Sequence, residues 1–151
     1  MQQIFEITQA SGNILSQILE NNSLEKLNMI PDGFKNNLIW NIAHVVVVQQ
    51  ILVYNFSGLP MMVSDEMVEK YKKGTQPEHD ATQAEVDEIK SLLNKTIAQT
   101  KEDFDNGVFK NYIEYPTSTG FVIKTAVDAI AFNNFHEGLH IGIIMGLRKF
   151  I

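Results

Sequence analysis

Residues 36–57 read NNLIWNIAHVVVVQQILVYNFS, and whether this run forms a strand or a helix decides the fold. Four consecutive valines, Val45 to Val48, favour a strand through their branched side chains. Length argues against it, because strands usually span about 3–10 residues and nothing interrupts this run before Gly58 and Pro60. Asn37, Asn41 and His44 also recur at i, i+4 and i+7, which is one helical face. The stretch is therefore predicted to be a helix. Its other faces are apolar too, so it should be buried on more than one side.

On the N-terminal side, Ile4, Ile7, Ile14, Leu15, Ile18 and Leu19 keep helical spacing over residues 3–20, ending at Asn21-Asn22. A Pro31-Asp32-Gly33 turn then leads into the apolar helix. On the C-terminal side a polar linker with GTQPEHD at its core precedes Thr82-Gln83-Ala84-Glu85, a capping-box pattern that starts a third helix. Val86, Ile89, Leu93, Ile97 and Phe104 form its buried stripe, and Asn106-Gly107 ends it. Residues 108–120 alternate weakly and contain Pro116, which predicts an extended connection or a marginal hairpin. A fourth helix runs from about Thr125 to Lys149. There is no internal repeat and no βαβ alternation, so the expectation is an all-α four-helix bundle. With 151 residues, the chain should form one domain over 1–151 around one core.

Composition narrows the function. The formal charge is −6, with 18 acidic against 12 basic residues, and the basic residues are scattered. Nucleic-acid binding through phosphate contacts is not expected of such a chain. The N-terminal MQQIFEITQASG lacks a basic leader pattern. Asn41, His44, Gln49 and Gln50 interrupt the most apolar segment, short of a membrane span. A cytoplasmic protein without a membrane role is the expectation. With no cysteine, any metal must be held by His, Asp or Glu.

Asn134-Phe135-His136-Glu137-Gly138-Leu139-His140 contains an HExxH pattern. On a helix, residues four apart face the same way, so His136 and His140 can chelate one ion; two core histidines satisfied by polar neighbours are the structural alternative. A zinc peptidase would need a third ligand downstream, yet IGIIMGLRKFI contains no His, Asp or Glu. A di-iron centre would need carboxylates on the other helices, and the apolar helix has none. That helix offers His44 instead. Facing the pair, His44 would complete a three-histidine site with open positions, the arrangement of catalytic rather than structural metals. Asn41 and Asn133 lie near these faces and could orient the imidazoles. Glu137 is a candidate for proton transfer or, alternatively, a structural ion pair. His79 reads as a solvated loop residue, and Trp40 and Tyr54 as core.

The segments IWNIAHVVVVQQ and NNFHEGLHIGIIMGLRK resemble the histidine motifs of the DinB/YfiT-like metalloproteins, and the resemblance extends over nearly the whole chain. It implies a four-helix bundle in which His44, His136 and His140 bind a divalent ion in a cleft. Where HRGQI is frequent in that family, this chain has His140-Ile141-Gly142-Ile143-Ile144, which keeps the ligand and drops the Arg and Gln. Relatives include thiol-dependent S-transferases and isomerases, so the resemblance implies a small-molecule substrate and a low-molecular-weight thiol as cosubstrate. Water activated for hydrolysis is the other chemistry an open site supports. The ion could be Zn, Ni, Mn or Fe, since imidazole ligands do not select one. A non-catalytic binding module with a structural or vestigial metal site is the alternative from another class.

Gly138, Gly142 and Gly146 recur every four residues on the last helix. By helical angle they lie opposite the histidine line. They predict close approach of another helix, either within the bundle or across a homodimer interface.

Overall fold

A computed structural model describes all residues, Met1 to Ile151. The 36–57 run is a helix. Numbered in chain order, α3 spans Leu38–Val53 and continues into a 3-10 turn, Asn55–Ser57. Asn37 caps its start by accepting from the Trp40 amide at 2.8 Å. Gly58 closes the end at φ 71°, a left-handed conformation that costs glycine little. Nearly every side chain between these points is buried, including Ile42, Ala43 and Val47 at 0% exposure. Full burial of a Val or Ile side chain contributes about 1.5–3 kcal/mol, and this outweighs the weak helix propensity of the valines, about 0.7 kcal/mol or less each.

Three further long helices surround α3. They are α1 (Gln2–Glu20), α5 (Gln83–Asp105) and α6 (Ala126–Leu147). α3 packs on α5 and α6, while α1 packs on α5 and α6 from the other side. The capping box forms as expected, with the Thr82 hydroxyl accepting from the Glu85 amide and the Glu85 carboxylate accepting from the Thr82 amide. Thr125 caps α6 by accepting from the Asp128 amide. The stretch Leu38–Ser57 is apolar enough to cross a membrane by composition, but 83% of it is buried inside the protein. It is the core helix of a globular domain.

Two short helices were not foreseen. α2 (Leu24–Asn28) and α4 (Asp65–Tyr71) are capped by Ser23 and Ser64, and each is too short to display a periodicity. α2 packs at the start of α3, where Asn37 donates to the Asn28 carbonyl, and α4 packs beside its middle, where the Tyr71 carbonyl meets His44. Residues 108–123 form an extended arm ending in a small hairpin, with β1 (Tyr115–Pro116) pairing antiparallel to β2 (Val122–Ile123). Tyr112 donates to the Leu52 carbonyl at 2.8 Å and Tyr115 stacks on Phe56, so the arm lies against the C-terminal half of α3.

The glycines of α6 correct one expectation and leave the other open. A Cβ built on Gly138, Gly142 or Gly146 meets nothing within 4 Å, so they admit no helix of this bundle. The close approach within the bundle is made by Gly12 of α1, where a Cβ would lie 2.7 Å from Ile97 Cδ1 on α5. Gly142→Ala should therefore stabilise the isolated fold by about 0.5–1 kcal/mol through helix propensity, whereas Gly12→Ala should show no such gain. Urea unfolding of the two variants beside the parent checks both.

Candidate metal centre

α3 and α6 bring His44, His136 and His140 together. One ring nitrogen from each lies within 4.8 Å of the others, and the ring centroids are 4.6–5.2 Å apart. No carboxylate joins the group. His44 is 4% exposed and stacks face to face on Trp40 at 4.7 Å.

Two of the imidazoles are held in orientation from behind. His44 Nδ1–H donates to the Tyr71 carbonyl at 2.6 Å, which leaves Nε2 unprotonated and free to bind an ion. His140 Nδ1–H donates to Asn41 Oδ1 at 2.9 Å and leaves its own Nε2 free. The Asn41 amide is fixed in turn, because its Nδ2 donates to the Asn37 carbonyl at 2.7 Å. Asn37 Nδ2 donates to the Asn28 carbonyl, and Asn28 bonds both the Ala81 carbonyl and the Ala81 amide. A row of buried amides thus runs from the linker before α5 to His140. His136 differs from the other two, since its Nδ1 is buried without a hydrogen-bond partner.

Burial holds all three rings neutral. It lowers the pKa of His44, against the opposing bond to Tyr71. It takes His136 down to about 3 and His140 to about 4, helped by the neighbouring histidines. Neutral imidazole is the form that ligates a metal. Three neutral nitrogens, two of them set by bonds from behind, and one orphaned ring nitrogen fit a divalent ion.

A cavity of about 320 Å³ adjoins the histidines, with His44 and His136 in its wall. Val48, Ile51 and Phe56 form one side and Phe132, Phe135 and Leu139 of α6 another, while Lys72, Lys73 and the hairpin turn complete it. Sequence reading missed this cavity, because the arm and the linker that build it carry no periodic signal.

Other candidates fall elsewhere. Asn133 donates from Nδ2 to Glu137 Oε1 at 2.7 Å and not to an imidazole. Glu137 is 2% exposed and faces the interior of the bundle among Gly12, Gln49 and Thr96, about 100° around α6 from His136. It does not line the histidine cavity and has no ion-pair partner. The Ser11 hydroxyl approaches it, but Oε2 makes no hydrogen bond. His79 is exposed in its loop, Trp40 and Tyr54 are buried, and the Tyr54 hydroxyl donates to Asp103.

A long-helix bundle with three histidines at one end of a cleft defines a class of helical proteins suited to metal binding. The sequence profile of the DinB superfamily matches residues 7–144, and the chain belongs to that superfamily. A solved structure described as a conserved protein of Enterococcus faecalis superposes with a TM-score of 0.68 at 13% identity, covering 99% of this chain and 95% of that one. At that identity the likeness concerns the fold alone. No curated protein matches the chain.

Glu137 makes a testable statement about stability. Burial raises its pKa from 4.5 to about 7, against the Asn133 and Ser11 contacts that pull it down. The folded chain therefore keeps this proton to higher pH than the unfolded chain does, so the contribution is complete below about pH 4.5 and is lost as pH rises through about 7. Glu137→Gln retains the acceptor for Asn133 and cannot ionise. It should stabilise the protein by about 1–3 kcal/mol at pH 8 and by much less at pH 4.5. Denaturant unfolding at the two pH values tests this; an equal effect at both would show that Glu137 does not titrate with folding.

Proposed function

We propose that the chain is a divalent-metal-dependent enzyme acting on a small molecule, with His44, His136 and His140 holding the ion. The observation that carries this reading is the junction of three neutral imidazoles, two of them oriented from behind, with an open cavity. Three protein ligands leave a position of a tetrahedral ion free, and a thiol or water bound there would lose its proton near neutral pH. An external low-molecular-weight thiol gives S-transfer, and water gives hydrolysis. Because the three ligands are neutral and no Asp or Glu lines the cavity, the ion's charge favours an anionic exogenous ligand, as a thiolate or hydroxide is. The imidazole set accommodates Zn, Ni, Mn or Fe. We take the protein to act in the cytoplasm, the compartment that keeps small thiols reduced.

We also take two copies to meet through α6. Val127, Ile143 and Met145 are 44–53% exposed on that helix, outside the cavity wall and beside the three glycines that leave space for a neighbouring backbone. In an isologous contact the same patch meets itself, residue i on j and j on i, and apart from Asp128 at its N-terminal end this strip is uncharged in a chain of net charge −6. Light scattering at micromolar concentration should report a dimer that Met145→Glu converts to a monomer. A monomeric parent would refute the contact.

The metal reading is tested on untagged protein. After loading, mass spectrometry should find about one ion per chain, and His44→Ala and His140→Ala should lose it while remaining helical by circular dichroism. Asn41→Ala should keep the site and weaken affinity about 10–100-fold, the usual effect of removing a ligand's hydrogen-bond partner. Adding a thiol to the Co(II) form should shift its absorption spectrum. A loaded but unresponsive site would indicate a structural ion in a binding module, and a parent that stays empty would refute the metal centre.

A further inference from the structure

We propose that the cavity beside the histidines takes a small molecule with an apolar body and an anionic group on its solvent side, the anion resting at Lys72 and Lys73. This names the substrate class for the enzyme reading above and rests on it for where the reacting end lies. At about 320 Å³ the cavity stands in the lower part of the range for small-molecule sites, roughly 300–1,000 Å³. Its walls are aliphatic and aromatic, with Val48, Ile51, Phe56, Phe132 and Leu139 among them, so they recognise a hydrocarbon or aryl body and offer it few hydrogen bonds.

The lining is unevenly exposed: His44 is 4% exposed, whereas Lys72, Lys73, Ser118 and Thr119 are partly or fully exposed, which sets the lysines on the solvent side of the cavity. In a chain with 18 acidic and 12 basic residues, a cavity with two lysines and no Asp or Glu in its wall departs from the charge of the whole molecule. Lys72 forms an ion pair with Glu69 at 2.5 Å, whereas Lys73 has no carboxylate partner, and its ammonium is available to a ligand. The lysine segment is also tethered to the histidine helix. The Tyr71 carbonyl receives the His44 Nδ1–H, and Thr75 Oγ1 accepts from Trp40 Nε1 at 3.2 Å and donates to carbonyls of its own turn. The lysine segment and the histidine helix are therefore held in one frame.

Calorimetric titration with decanoate, decan-1-ol and decylamine separates the parts of this assignment, because the three probes share a chain and differ in head group. The zinc-loaded parent should bind decanoate about two- to fivefold tighter than the other two, the scale of an exposed charge pair. Lys72→Gln/Lys73→Gln should erase that preference and leave decanol binding unchanged. The metal-free parent should retain the preference. Val48→Trp, which fills the cavity, should remove binding of all three. Equal binding of the probes, no binding, or binding that survives Val48→Trp would overturn the proposal. A preference that survives the lysine substitutions and disappears in the metal-free parent would place the carboxylate at the ion and overturn the lysine site. Metal content measured on the same samples reports the metal reading separately, so either can fail while the other stands.

Discussion

A helix with almost no solvent-facing side has to be enclosed all round, and α3 is that helix. Its backbone bonds are satisfied internally, so burial costs no hydrogen bonds along its length and gains the transfer of nearly every side chain. The cost falls at its ends, where amides and carbonyls lack helical partners. At the start, Asn37 accepts from Trp40 and extends its own amide to Asn28. At the other end, the Tyr54 carbonyl accepts from the Ser57 and Leu59 amides. Once α3 is central, α5 and α6 are its necessary walls, and the short helices and the arm are the caps over what those walls leave uncovered.

The histidine site follows from this enclosure. His44 sits mid-helix in a surface that is otherwise hydrocarbon, so its ring is desolvated and held neutral, and its Nδ1 must find a partner. α4 supplies that partner at its last residue, through the Tyr71 carbonyl. The same reasoning applies to Asn41, one turn earlier, whose amide group bridges the Asn37 carbonyl and the His140 ring. Polar residues in so apolar a helix are costly unless satisfied. Here their satisfaction is also what aims two imidazoles at a common point.

Much of this was legible in the sequence, and the limits have physical reasons. The helical nature of residues 36–57 could be read because its length and its i, i+4, i+7 polar residues outweighed the local preference of four valines. The histidines were legible because i, i+4 spacing fixes relative direction on a helix regardless of what packs beside it. The partners of the asparagines were not. Asn133 and Glu137 are also i, i+4 and satisfy each other, an arrangement as probable from spacing as either one reaching a histidine. Which face of α6 meets the core is a tertiary outcome, and it turned Glu137 inward and the three glycines outward. The cavity was least legible, since Lys72, Lys73 and residues 115–119 come from segments whose placement depends on contacts distant in sequence.

Electrostatics ties the two buried faces of α6 together. On one face, burial pushes His136 and His140 down to about 3 and about 4; on the other, it pushes Glu137 up to about 7. Desolvation disfavours whichever form carries charge, so a base and an acid on the same helix move in opposite directions and both approach neutrality. The interior of the bundle is consequently almost free of charge below pH 7. A divalent cation bound by three neutral imidazoles would bring a full double charge into that interior, with no carboxylate at hand to offset it. An anion from outside offsets it best, and the cavity is the side of the site open to one. On this argument the proposed chemistry depends on what the helix lacks near its histidines as much as on the histidines themselves: an inward-turned Glu137 leaves the ion's charge for the exogenous ligand to neutralise.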